Sequence, residues 1–445
     1  MLLTWSDGKT TSANTVEKIE TKKMGNKRMN KSAIGMLIFG STLSVGAYAD
    51  SDVGEGHVHA GSSTQLDHHT MHDQLSDKTW EFYGMLYASL QSSDAGNALD
   101  HSGNSSQTNL WLSTGETTLG FKGSVPLDNG LKAIWQIEST INLDEFGDAA
   151  GHAHGDQPAG YNSSKLAGGH NSFIGVSGDW GILLAGKHNT PFFDATIQFD
   201  LFHHLPGDVR AMLGRLPNVQ SGSGDHHGGT FNVSASDTIM YKSPKLANGL
   251  SFEGAVFALN ETLVDDNQAD PSAFGVGARW QQKTFALVAA YEQHKNYDSY
   301  DHDGRSSTPA LVIDETTGLI VGGMMHFNDN NTMVGAFFEQ LDTTSSSPSI
   351  PNLSRDGYYI NLQQRFMGKN KVKLAFSEAD AFQIRDGAQM VAVALAREIG
   401  ASTEVYATYA KTNNKQFASY SNGTAGPLGK GGDPQTLAMG IVHKF

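Results

Sequence analysis

The sequence predicts an all-β fold, a transmembrane antiparallel β-barrel of sixteen strands over residues 79–445, and three observations predict it. The chain ends in a period-2 pattern: Leu437, Met439, Ile441, His443 and Phe445 alternate with Ala438, Gly440, Val442 and Lys444. One large, mainly apolar face therefore runs to the last residue. In water such a terminal strand would fray or aggregate; it is stable if both edges are paired and its apolar face meets something other than water. Second, strand-like alternation recurs in about sixteen segments whose connections alternate between short and long. Third, a basic and then apolar leader is followed by no other long apolar stretch, which excludes a helical membrane protein but not a barrel.

The elements follow in chain order. Residues 1–49 read as upstream sequence and a secretory signal peptide: Lys27, Arg28 and Lys31 form the basic region, 33–45 the apolar run, and Ala47-Tyr48-Ala49 the small-x-small site, with cleavage before Asp50. Residues 50–78 form a flexible polar arm containing His57, His59, His68, His69 and His72. The strand segments are 80–91, 116–123, 131–141, 171–177, 181–188, 238–242, 250–259, 273–281, 285–294, 318–327, 333–340, 357–366, 372–379, 389–396, 403–411 and 435–445. Tight turns at 126–130, 178–181, 328–331 and 368–370 carry Asn, Asp and Gly, the residues such turns need. Between them lie long polar loops at 142–169, 189–236, 295–317 and 413–434. Short turns on one rim and long loops on the other suit an outer-membrane barrel; a soluble sandwich has no reason to sort loop lengths by parity.

Composition narrows the function classes. The chain has no Cys, so it has no disulfide framework, thiolate metal site or Cys nucleophile. The first 49 residues hold seven of the 31 basic and three of the 46 acidic residues, leaving 24 against 43 after cleavage. Such acidity argues against nucleic acid as a partner. The 50 glycines are not periodic enough for collagen but suit a barrel. No phosphate loop, zinc-protease motif or nucleophile elbow is present, so the sequence points to neither an enzyme nor a cofactor.

Several stretches are more specific. Residues 120–138 (GFKGSVPLDNGLKAIWQIE), 172–178 (SFIGVSG), 186–194 (GKHNTPFFD), 241–244 (YKSP) and the terminal Phe445 resemble, in order and spacing, the Gram-negative general diffusion porins. The resemblance runs from about residue 80 to 445. It implies a homotrimer of sixteen-stranded barrels in the outer membrane, in contact with its lipid and lipopolysaccharide. Each barrel would hold a water-filled pore for passive diffusion of small hydrophilic solutes and ions. Phe445 would be the signal read by the barrel-assembly machinery.

The resemblance also implies a constriction, made by an inward-folded third extracellular loop whose acids face basic residues on the wall. Here that loop begins at Asn189 and contains Asp194, Asp200, Asp208 and Asp225, with Arg210 and Arg215. The wall positions that are commonly basic in relatives read Met85, Thr118, His170 and Ser236, and only His170 can carry charge. Lys122 and Lys187 remain as basic wall residues, and Thr118, Gly120 and Lys122 alternate with the lipid-type Leu119 and Phe121. The expectation is a cation-preferring pore. The alternatives are an outer-membrane barrel enzyme, phospholipase-like, with a Ser/His pair on an outer strand face, or an adhesin or structural barrel. The arm histidines and the loop pairs His152/His154, His203/His204 and His226/His227 are read as polar loop residues, with no metal site assigned.

Overall fold

The computed structural model describes residues 80–94, 96, 109–114, 117–141, 143, 170–216, 231–258, 272–295, 314–345, 352–383, 385–423 and 430–445. The leader, the His-rich arm, Asp225 and the pairs His152/His154 and His226/His227 lie outside the described residues. The strands are β1 (Trp80–Asp94), β2 (in two pieces, Asn109–Ser113 and Thr118–Pro126), β3 (Lys132–Thr140), β4 (Ser172–Gly178), β5 (Gly181–Asn189) and β6 (Ser234–Lys242). They continue as β7 (Leu250–Ala258), β8 (Ser272–Gln281), β9 (Phe285–Lys295), β10 (Glu315–Phe327) and β11 (Thr332–Thr344). The last five are β12 (Leu353–Phe366), β13 (Asn370–Ala379), β14 (Ala388–Glu398), β15 (Thr403–Asn414) and β16 (Gln435–Lys444). Each strand pairs antiparallel with its neighbour in the chain, and β1 pairs with β16, so the sheet closes into a barrel with no free edge. Among the described residues no helix is long and apolar enough to cross a membrane.

Both pieces of β2 lie along β1, which makes them one interrupted strand. At the break the side chain of Thr117 replaces the missing ladder. Its hydroxyl donates to the Tyr87 carbonyl at 3.1 Å and accepts from the Tyr87 N–H at 3.1 Å. No backbone polar group of Tyr87 is left orphaned in a place where that would be costly.

Alternation along the strands sorts side chains by solvent. Phe82, Leu86 and Leu90 of β1 are exposed on the outer surface, while Met85 and Tyr87 turn inward and are buried. The same holds for Val391, Val393 and Leu395 against Met390, Ala392 and Ala394 on β14, and for Leu437, Met439 and Ile441 on β16. An apolar surface this extensive is intelligible only against lipid.

The seam is closed by the last residue. Gly84 and Phe445 exchange both backbone hydrogen bonds, at 3.0 and 3.1 Å. The Phe445 ring packs 5.4 Å from that of Phe82, which lies 4.8 Å from Phe121. A Cβ at position 84 would come within 2.8 Å of the Phe445 ring and 2.7 Å of the Thr118 carbonyl, so the close approach needs glycine.

The expected segments match the sixteen strands one for one, but several stop short on the long-loop side. Strand β11 extends to Thr344 where alternation ends at 340, and β12 begins at Leu353 where alternation begins at 357. Beyond the apolar band both faces of a strand are wet, so its hydrogen bonds persist after its hydrophobic alternation has lapsed.

Candidate functional site

The described parts of the third long loop, 190–216 and 231–233, turn into the barrel. Thr190 caps the short helix α1 (Pro191–Ile197) by accepting from the Phe193 N–H at 3.3 Å, with Pro191 in the first turn. All seven helix residues are buried. The helix start lies on β8 at Gly275, where a Cβ would be 2.9 Å from the Pro191 ring. Phe192 packs against Phe231, 5.2 Å away between ring centres. Further along, Phe199, Phe202, Val209 and Met212 join one buried apolar cluster with the inward residues Ile320, Met324, Phe337 and Met390. The loop is therefore packed onto the wall formed by the middle strands, and that side of the interior is dry.

Polar groups fasten what the apolar packing positions. Asp200 accepts from the Phe202 N–H at 2.9 Å, the Val209 N–H at 3.0 Å and the Tyr359 hydroxyl at 2.7 Å. The Asn361 amide donates to the Phe199 carbonyl at 2.8 Å. Asp208 caps the single turn Val209–Ala211, accepting from the Arg210 N–H at 2.8 Å and from its guanidinium at 2.6–3.0 Å. Asp194 is bonded by Lys242 at 2.8 Å, and Lys242 also reaches Glu253 at 3.1 Å. Glu339 pairs with Arg355 at 2.5 Å and accepts from the Gly214 N–H; both side chains are 0% exposed. Arg355 donates in addition to the Met212 carbonyl and the Tyr420 hydroxyl.

In the last long connection, Tyr420 and Asn422 also reach inward. Besides Tyr420, its Asn422 carbonyl accepts from the Gly207 N–H at 2.8 Å, and Thr408, on the inward face of β15, donates to the Pro206 carbonyl at 3.2 Å. Two loops thus hold one another inside the barrel.

This geometry corrects part of the expected constriction. Asp194, Asp200 and Asp208 are on the inward loop, but all three are buried and turned toward the loop's own backbone, Lys242, Tyr359 or Arg210. They do not stand across open water from the wall. A loop without sheet partners must satisfy its N–H groups somehow, and short carboxylates placed two residues before a turn do so. Among the loop's described residues Arg210, 29% exposed, and Arg215 are partly exposed charges; Arg210 lies over Phe193 at 6.0 Å, and Arg215 donates to the Arg210 carbonyl. Burial, and after it the charge of Asp208, pushes the Asp200 carboxyl up to about 7. Burial also works against the charge of Asp208, yet Arg210 and His203 hold it well below the usual carboxylate range. Burial and then the adjacent His204 push His203 down to about 3.

On the wall, Thr118 and Lys122 face inward as alternation predicts, both buried. Lys122 lies 3.6 Å from Glu81 and 4.8 Å over the Tyr83 ring. The Tyr83 hydroxyl donates to Glu138 at 2.8 Å, and His170 stands 3.5 Å from the same carboxylate. Lys187 does not belong to this wall. It pairs with Ser172, on the face that carries the exposed Leu183 and Ile174, so it points outward. Ser236 falls in a bulge: its pairing shifts between Gly186 and His188, so that Ala235 and Thr238 both turn inward and Ser236 is exposed between them. Alternation with Leu183 already puts Lys187 on the outer face, and the motif match that set Ser236 on the wall does not foresee a bulge.

Sequence reasoning missed a second inward cluster near the short-turn rim. Arg365 and Lys371 bond Glu398 at 2.7 Å each, while Lys371 and Lys373 bond Glu404 at 2.7 and 3.2 Å. The signal was present: Lys371 and Lys373 alternate with the outward Val372 and Leu374.

The profile of the Gram-negative porins matches residues 36–416. Over 268 residues the chain is 24% identical to the major outer membrane protein P.IB of Neisseria gonorrhoeae, covering 58% of this chain and 65% of that one. Over 96 residues it is 34% identical to P.IA of Neisseria meningitidis, 22% of this chain and 20% of that protein. Among solved structures, an anion-selective porin from Comamonas acidovorans superposes with a TM-score of 0.64 at 17% identity, covering 83% of this chain and all (100%) of that one. The outer membrane protein OmpT of Vibrio cholerae, in its trimer form, superposes with a TM-score of 0.55 at 13% identity, covering 83% and 99%.

Proposed function

We propose that this chain, which belongs to the Gram-negative porin family and is an outer-membrane β-barrel, forms a water-filled channel for passive diffusion of small hydrophilic solutes and ions. The observation that carries the reading is the division of the interior. The inward loop fills the side of the middle strands with a packed core, and on the facing wall the partly exposed Glu81 and His170 stand beside Lys122 and Glu138, which are largely buried. A passage edged by such groups and by Arg210 admits hydrated solutes by size and charge rather than by chemistry. A homotrimer is part of the proposal, supported by the trimer form of a structural neighbour. So are contacts with outer-membrane lipid, lipopolysaccharide and the barrel-assembly machinery.

The cation preference expected from the loop acids loses its ground, because Asp194, Asp200 and Asp208 are tied to cations or to donors. The phospholipase-like alternative asks for a Ser/His pair on the outer face. The outward His443 instead bonds Thr403 at 2.8 Å and stacks beside Phe445, at the seam. Reconstitution in a planar bilayer tests the channel: stable ohmic current steps are expected, and a properly folded barrel that inserts without conducting would overturn it.

A further inference from the structure

We infer that Asp200, His203 and Asp208, on the turn of the inward loop, form a binding site for a divalent transition-metal ion of the zinc class. Their carboxylate oxygens and imidazole nitrogen all lie within 4.8 Å of one another. The three side chains are each more than nine-tenths buried, His203 being 7% exposed. The imidazole carries the argument beyond a mere group of acids. Its Nδ1 faces the Asp208 Oδ2 at 3.3 Å, an ion-pair distance, with no well-directed hydrogen bond between them. A ring nitrogen and a carboxylate oxygen set face to face in this way are completed by a cation placed between them.

The donor set selects the ion. One imidazole nitrogen with two carboxylates suits Zn²⁺, whereas Mg²⁺ and Ca²⁺ favour oxygen alone. The ligands are held from outside: the Tyr359 hydroxyl and the N–H groups of Phe202 and Val209 orient Asp200, and the N–H groups of His204 and Arg210 orient Asp208. Arg210 is the competitor. Its Nε and Nη2 occupy Asp208, and it is exposed enough to swing toward the lumen when a metal takes its place.

Zinc titration of the full-length folded protein, followed by dialysis and metal analysis, tests the site. The wild type should retain one zinc ion per chain more than His203→Gln, whatever the His-rich arm holds in both. Arg210→Gln, which removes the competing cation, should bind that zinc several-fold more tightly, and excess Mg²⁺ should not displace it. Equal zinc content and affinity in wild type and His203→Gln would overturn the site. If His203→Gln fails to form a heat-modifiable barrel, Arg210→Gln decides: tighter zinc supports the inference, and unchanged or weaker zinc overturns it.

Discussion

The pair Glu339–Arg355 is fully buried and ties the inward loop to the wall. Both side chains are withdrawn from water, and each also bonds the inward loop: Glu339 to the Gly214 N–H, Arg355 to the Met212 carbonyl. Together such a pair adds little net stability, since desolvation offsets most of the attraction. Removing one partner is different, because the other is left charged, buried and unmatched. Arg355→Ala should therefore cost about 3–5 kcal/mol, read as a lower denaturant midpoint for barrel unfolding. It should also free the loop around 212–214, so current through single channels should become noisier. A variant as stable and as quiet as the wild type would show that apolar packing alone holds the loop. Replacing both partners with apolar residues of similar volume should restore much of the loss.

At the scale of elements, strands were legible and loop interiors were not. Strand alternation is a repeated signal that each membrane-facing residue reinforces, so even the short β6 and the second piece of β2 are legible, whereas the first piece, Asn109–Ser113, is not. The inward loop has no period. Its acids read as lumen groups because a charged side chain in a long polar loop is ordinarily wet. Which of them satisfies a buried N–H depends on tertiary contacts such as Tyr359 to Asp200, separated by 159 positions. Lys187 and Ser236 failed for a related reason, as register and bulges are set by pairing between strands. The terminal strand yields a prediction of its own. Phe445 contributes two backbone bonds to Gly84 and a ring contact to Phe82 at the point where the barrel closes. Deleting it should leave export intact and reduce the heat-modifiable barrel recovered from the outer membrane. Normal recovery would mean that β1 and β16 find their register without it.

For the whole molecule the open question is which fixed charges a permeating ion meets. A narrow passage with low-dielectric walls amplifies any charge imbalance, so a few unpaired groups suffice to make a channel selective. Here the groups on both sides of the passage are paired: Lys122 with Glu81, His170 with Glu138, Arg210 with Asp208. Charges farther from the passage than the Debye length, about 10 Å at 0.1 M salt, are screened from it. The wild-type channel should therefore show a reversal potential close to zero in a KCl gradient. Arg210→Gln leaves the charge of Asp208 unbalanced beside the lumen, so its reversal potential should move toward the cation-selective sign. Asp194→Asn should move it much less, because Asp194 sits behind the loop with Lys242, away from the exposed edge. A strongly cation-selective wild type that loses its preference in Asp194→Asn would return the loop acids to the lumen and overturn the pairing as the determinant of selectivity.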